Sequence, residues 1–376
     1  MLKTKVTIKK ILFVLIVLIE ITTISARKYG DANTNSTKTK IPTTVKPLFD
    51  YWMRDTWVTL APDNYYYMTG TTADMSRKYT GEVHCWDWND GIYLWKSKDL
   101  KKWIRCGMIW SMDRDGTWQK SPKIYNNNEK YPTLSINGDS LDNKFRAVWA
   151  PEIHYIKSQK NWFIVACVNN SSVGAGSFIL KSTTGKPEGP YVNIEANTKA
   201  PIFNHIDGSL FEDTDGSVYF VGHNHYIAKM KSDMSGFAED IKKLDEKSYS
   251  PEPYVEGATI FKYGGKYHLV QAIWSFRLPD GTETYIEQTG EAGKKMRYSY
   301  DCIIATADNI YGPYSQRYNA ITGGGHNNLF QDKQGKWWAT IFFNPRGAQA
   351  KNYEKTCRPG LVPMSYNNGK FSPLNR

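Results

Sequence analysis

Residues 207–222 read DGSLFEDTDGSVYFVG: an acidic residue, a short apolar run, an Asp-Gly turn and a second apolar run. That is a β-hairpin written in sixteen letters, with aromatic and β-branched residues on either side of a tight connection. Four more copies align with it without a gap. They are DTWVTLAPDNYYYMTG from Asp55, EIHYIKSQKNWFIVAC from Glu152, EGATIFKYGGKYHLVQ from Glu256 and HNNLFQDKQGKWWATI from His326. Every copy opens on an ionisable residue, and nine positions later each has a turn former: Asn64, Asn161, Gly216, Gly265 or Gly335.

A looser echo follows most copies, as GIYLWKSKDLKKW, FILKSTTGKPEGPY, IAKMKSDMSGF and CIIATADNIYGPY, with Gly189-Pro-Tyr191 and Gly312-Pro-Tyr314 the same corner used twice. A recurring unit of about four short strands with little helical period predicts an all-β, five-bladed β-propeller. A β-sandwich would not explain five equal copies. The hairpin after Cys357 (RPGLVPMSYNNGKF) is expected to close the ring with the first blade.

In a propeller the innermost strand of each blade lines the central channel, so equivalent positions converge on one axis. The opening residues Asp55, Glu152, Asp207, Glu256 and His326 would therefore face a common funnel. A structural core would not place ionisable groups at all five positions, because unpaired buried charge is costly. Carboxylates held close together cannot all ionise at their ordinary pKa, so one can serve as an acid and another as a base. A pair separated by roughly 6.5–9.5 Å leaves room for a water, the geometry of inverting glycoside hydrolysis.

From about Phe49 to the C-terminus these motifs resemble glycoside hydrolase family 43, the five-bladed propeller glycosidases. The resemblance implies that Asp55, in RDTWVTLAPDNYYYMTGT, is the general base and that Glu256, in VEGATIFKYGGKYHL, is the general acid. Asp207 resembles the third carboxylate, which raises the pKa of the acid and orients it. His326, in GGGHNNLFQDKQGKWW, resembles the axial histidine that supports the pocket or holds a calcium through water. Arg358 matches an arginine that contacts substrate in some relatives. The chain departs from the family at Trp149-Ala-Pro-Glu152, where Asp is usual, at Asp55-Thr56 in place of Asp-Pro, and in TIFFNPRG at the end of blade five. Trp149 and Trp274 are candidates for stacking on sugar rings, and equally for the core. No cofactor is required on this reading, and a structural calcium in the channel is admitted. The implied activity is that of an inverting α-L-arabinofuranosidase. A β-xylosidase, a galactosidase or a non-catalytic glycan-binding propeller are the alternatives.

Composition agrees with a folded chain that has ample material for a large core. The 376 residues are 14% aromatic, with 25 Tyr and 13 Trp, which excludes a disordered chain. Residues 1–26 read as a signal peptide: four lysines (Lys3, Lys5, Lys9, Lys10), an apolar run from Ile11 to Ile19, then Ser25-Ala26. Residues 27–47 read as a polar linker and 48–376 as the catalytic propeller. The expected location is secreted or periplasmic, with no membrane attachment after cleavage. Without the four lysines and Glu20 the charge falls from +11 to +8. No basic run carries the features of a nucleic-acid module, so the expected partner is an oligo- or polysaccharide, met by a monomer. The five cysteines include no CxxC pair. Cys85 and Cys106 could pair, while Cys167 and Cys302 read as buried thiols. His223 and His225 form an HxH, which alone is weak evidence of a metal. Segments 111–145 and 276–300 are expected to wall the pocket.

Overall fold

The computed structural model describes residues 37–73, 89, 91–120, 134–136, 139–141, 147–168, 171, 173–223, 225–244, 255–277, 283–284, 297–343 and 357–374. Five antiparallel sheets follow one another along the chain and make the five blades of a propeller. Blade one is Met53–Leu60, Tyr66–Thr72, Gly91–Ser97 and Trp103–Ser111. Blade two is Val148–Ile156, Asn161–Val168, Gly176–Ser182 and Tyr191–Asn193. Blade three is Gly208–Glu212, Val218–Gly222, Tyr226–Lys229 and Lys242–Lys243. Blade four is Val255–Tyr263, Lys266–Arg277, Arg297–Ala307 and Tyr318–Ile321, with Glu283–Thr284 paired to its second strand. Blade five is Leu329–Gln331, Trp337–Ile341, Gly360–Asn367 and Lys370–Pro373. Helix among the described residues is limited to 3₁₀ turns at Thr37–Thr39, Trp118–Lys120 and Glu195–Asn197, and none is long and apolar enough to cross a membrane.

The repeated hairpins turn where their sequences say. Asn64, Gly216, Gly265 and Gly335 all take positive φ, between 63° and 81°, the conformation that Asn and Gly tolerate best. Blade two differs by one residue: Lys160 holds the positive φ (48°), and Asn161 begins the returning strand. The two Gly-Pro-Tyr corners are also equivalent in space. Tyr191 donates its hydroxyl to the Pro187 carbonyl and Tyr314 to that of Ile310, both at 2.9 Å.

Apolar alternation on both sheet faces builds one hydrophobic layer between each pair of neighbouring blades. Ile92 and Trp57 meet Ile164 and Phe178 between blades one and two, and Phe163 meets Phe220 between two and three. Val221 packs with Leu269 between three and four, and Ile304 with Ile341 between four and five. Val58 and Met68 meet Phe330 and Leu361 across the seam between five and one. Central strands are consequently buried on both faces, as in Asn161–Val168.

The seam is closed by polar groups as well. Asn328 Nδ2 donates to the Val58 carbonyl at 2.9 Å, and the Val58 amide donates to Asn328 Oδ1 at 3.1 Å. The C-terminal hairpin closes the ring by packing Leu361 against blade one, as expected, but it pairs no strand with that blade. Gly360–Asn367 and Lys370–Pro373 are the third and fourth strands of blade five, because Trp337–Ile341 needs a partner on its outer edge. Part of the 27–47 stretch is docked rather than loose. Lys40 bridges Thr322, and Ile41 and Val45, apolar in an otherwise polar run, pack into the layer between blades four and five. Cys167 and Cys302 are fully buried in strands, as expected of isolated thiols. Cys85 and the 1–26 segment lie outside the described residues, as do most of 121–146 and 278–296.

Candidate active site

Each inner strand enters the channel through a local irregularity that aims its first side chain. The ladder shifts register between Arg54 and Trp57, between Trp149 and Glu152, and between Glu256 and Thr259. Positive φ recurs at these entries, at Asp55 (49°), Ala150 (44°), Asp207 (60°), Gly257 (65°) and Gly325 (64°). Two of them must be glycine. A Cβ on Gly257 would stand 2.6 Å from the His326 ring, and one on Gly325 2.8 Å from Phe342.

A cavity of about 220 Å³ opens at this end of the channel. Asp55, Asp207, Glu256 and His326 line it together, drawn from four blades, with Trp149 and Trp274 in its walls. Arg54, Thr71, Ile206 and Tyr300 complete the lining. Two of the expected residues are elsewhere. Glu152 is not among the lining residues and is 2% exposed, its Oε2 accepting from His154 Nε2 (2.9 Å) and Ser209 Oγ (2.6 Å). Arg358 donates through Nε to Asp50 Oδ1 at 2.7 Å and is not among the lining residues. Its proximity to blade one comes from the ring closure, which brings the loop after Cys357 beside residues 48–53.

His326 is the electrostatic centre. Its Nδ1 lies 3.8 Å from Asp55 Oδ1 and 3.9 Å from Asp207 Oδ2, and its Nε2 lies 3.9 Å from Glu152 Oε1. Burial opposes its charge, but Asp207, Glu152 and Asp55 prevail and raise its pKa to about 10. No group of three His, Cys, Asp or Glu among the described residues is arranged around a metal position. A calcium in the channel would be held at His326, whose Nε2 lies 3.9 Å from Glu152 Oε1.

Asp207 is held protonated well above the ordinary carboxylate range, to about 7. Burial is the main cause, His326 opposes it, and Glu256 and Asp55 reinforce it. Its Oδ2 accepts from the Gly257 amide at 3.1 Å, and its Oδ1 lies 3.9 Å from Cys167 Sγ. The sequence-based expectation put the shared proton on Glu256. Asp207 is the carboxyl that burial raises, and a proton coupled between acidic groups belongs to the set rather than to one member.

Asp55 is oriented by Thr71, whose Oγ1 donates to Oδ2 at 2.7 Å while accepting from the Ala150 amide at 2.7 Å. The incoming amide occupies one lone pair and leaves the hydroxyl proton for the carboxylate. Arg54 lies next to Asp55 with its guanidinium 4.9 Å from the centre of the Phe342 ring. Burial disfavours that charge, but Asp55, Cys357, Tyr300 and Glu256 together outweigh burial and push the pKa above its ordinary value. Tyr300 donates its hydroxyl to Glu256 Oε1 at 2.6 Å. Arg54, Thr71 and Tyr300 escaped the sequence reading. Only Arg54 left a signal there, as the charge adjoining the first copy's carboxylate. His223 and His225 belong to no group of three His, Cys, Asp or Glu around a metal position among the described residues; burial lowers both pKa values to about 4, and His223 stacks on His205 at 4.8 Å.

A five-bladed propeller whose blades deliver three carboxyls and a histidine to one cavity has the architecture of a glycoside hydrolase. The family model for glycosyl hydrolases family 43 matches residues 44–371, and the chain belongs to that family, whose members are inverting enzymes acting on glycosidic bonds. Among curated proteins it is 28% identical over 283 residues to the β-D-galactofuranosidase xynD of Aspergillus niger, spanning 69% of this chain and 71% of that one. Among solved structures it resembles an endo-1,4-β-xylanase of Bacteroides thetaiotaomicron (20% identity, TM-score 0.54, 89% of this chain and 97% of the other). An endo-arabinase of the same organism is similar in fold (18%, TM-score 0.57, 86% and 98%).

Proposed function

We propose that the protein is an exported, monomeric exo-acting furanosidase that removes terminal α-L-arabinofuranosyl units by single displacement. The observation that carries this reading is the cavity. At about 220 Å³ it is smaller than the roughly 300–1,000 Å³ of pockets that enclose drug-sized ligands, and it suits one sugar ring. Its carboxyls stand around that space, with Trp149 and Trp274 as apolar walls for the ring. Asp55, held by Thr71, takes a proton from the attacking water, and Glu256 gives one to the departing glycosidic oxygen. Asp207 and His326 keep the charge of this group balanced as the proton moves.

The similarity to a β-D-galactofuranosidase supports a second reading within the same chemistry. A β-D-galactofuranosyl ring has the ring configuration of an α-L-arabinofuranosyl ring and carries one additional exocyclic hydroxymethyl group. Export rests on the basic, apolar and small-residue order of residues 1–26. The test is hydrolysis of nitrophenyl α-L-arabinofuranoside, β-D-galactofuranoside and β-D-xylopyranoside, with the product anomer followed by NMR. Inverted arabinose or galactofuranose as the favoured product supports the furanosidase reading. A preference for the xyloside overturns it.

A further inference from the structure

Tyr300 sits in the third strand of blade four directly opposite Trp274 in the second. The two rings stack, with centroids 4.5 Å apart and planes 26° from parallel. Both border the cavity, and Tyr300 is 2% exposed. Phe342 packs beside the tyrosine ring at 6.2 Å. On another side Gly325 approaches so closely that a Cβ there would lie 2.9 Å from Tyr300 Cδ1, and its amide donates to the Tyr300 carbonyl at 2.9 Å. The ring therefore has no freedom to swing, and its hydroxyl is delivered to one oxygen, Glu256 Oε1, at 2.6 Å.

A carboxylic acid has one oxygen that carries the proton and one that accepts. Burial, with Glu256, Asp207 and Asp55 nearby, pushes the Tyr300 phenol well above its ordinary value, so it stays a donor. We infer that Tyr300 is a positioning residue that reserves Oε1 of Glu256 as the acceptor, leaving Oε2 to carry the proton delivered to the leaving group. This rests on the assignment of Glu256 as general acid. In the step, the Oε2–H bond breaks as the glycosidic oxygen takes the proton and its bond to the anomeric carbon cleaves. The electron pair of the O–H bond stays on Glu256 as carboxylate charge, and the fixed phenol stabilises the share on Oε1. The hydrogen bond strengthens as that charge develops, so it favours the transition state over the ground state. Trp274, stacked on the same ring, couples the cavity wall to the position of the acid.

The test compares wild type with Tyr300→Phe on aryl and alkyl glycosides of the preferred sugar, graded by leaving-group acidity. A dinitrophenolate leaves without help from an acid, whereas an alkoxide does not. The expected result is a kcat within about threefold of wild type on the dinitrophenyl glycoside and a loss of tenfold or more on the methyl glycoside. An equal loss across the series would make Tyr300 a packing residue and overturn the proposal, as would no loss anywhere. Replacement of Tyr300 by 3-fluorotyrosine keeps the ring and hydroxyl and guards against a misfolded phenylalanine variant. It should change the poor-leaving-group rates alone, and no change in them is again contrary. Wild type that cleaves none of the glycosides, or Glu256→Gln that keeps methyl glycoside activity, would instead remove the general-acid assignment beneath this role.

Discussion

His326 Nδ1 stands 3.9 Å from Asp207 Oδ2, and this contact joins a buried imidazole with its pKa raised to about 10 to a buried carboxyl raised to about 7. The pair makes stability depend on pH in a defined direction. In the unfolded chain His326 titrates near 6.5, and in the folded chain near 10. Between those values the folded state binds the extra proton, so the contribution is complete below about 6.5 and is lost as pH rises through 10. Asp207 slopes the same way at lower pH, its contribution complete below 3.8 and lost through about 7. Urea denaturation should show the wild-type midpoint falling from pH 7 to pH 10, with a shallower fall in His326→Gln. Parallel profiles would show that the imidazolium does not carry this charge.

The acid and base should separate by leaving group. Glu256→Gln should lose about 10²- to 10⁴-fold on alkyl glycosides and much less on a dinitrophenyl glycoside, which needs no proton. Asp55→Asn should lose a comparable factor on both, since every substrate needs the water activated. Steady-state kinetics on the two substrates check this, and a reversed pattern would exchange the roles.

Gly257 is the tightest point of the funnel. Alanine there meets the His326 ring at 2.6 Å and must hold φ at +65°, so Gly257→Ala should lower stability by about 2 kcal/mol or more and displace the histidine. Gly335→Ala is the control, with φ +74° and nothing within 4 Å, and should cost about 1 kcal/mol with activity intact. Thermal melts and kcat on both variants decide the matter.

Ring closure offers a prediction independent of catalysis. Asn328→Ala removes three buried hydrogen bonds, two with Val58 and one from Thr340 Oγ1, and leaves the Val58 amide and carbonyl without those partners, a loss of about 2–4 kcal/mol. The denaturation midpoint should fall with the m-value unchanged, because the same surface is exposed on unfolding. Activity per folded molecule at low temperature should survive.

The five repeats, their hairpins and the convergence of Asp55, Asp207, Glu256 and His326 were legible in the sequence because each depends on local features. Alternation of apolar residues sets strands, Asn or Gly supplies a positive φ, and a constant offset places the same side chain at the mouth of every blade. Even there the turn of blade two fell to Lys160, since either of two adjacent residues can take the left-handed position.

Other assignments depended on contacts between residues far apart in the chain. Glu152 shares the offset of the other four, yet its carboxylate is bound by His154 and Ser209 and does not line the cavity. Arg358 is drawn to Asp50. Tyr300 reaches Glu256 across 44 residues because a strand pairing sets it beside Trp274. Where the proton rests among Asp207, Glu256 and His326 follows from burial and from charges on separate blades. A sequence carries the order of these groups, and only the closed ring sets the distances through which they act on one another.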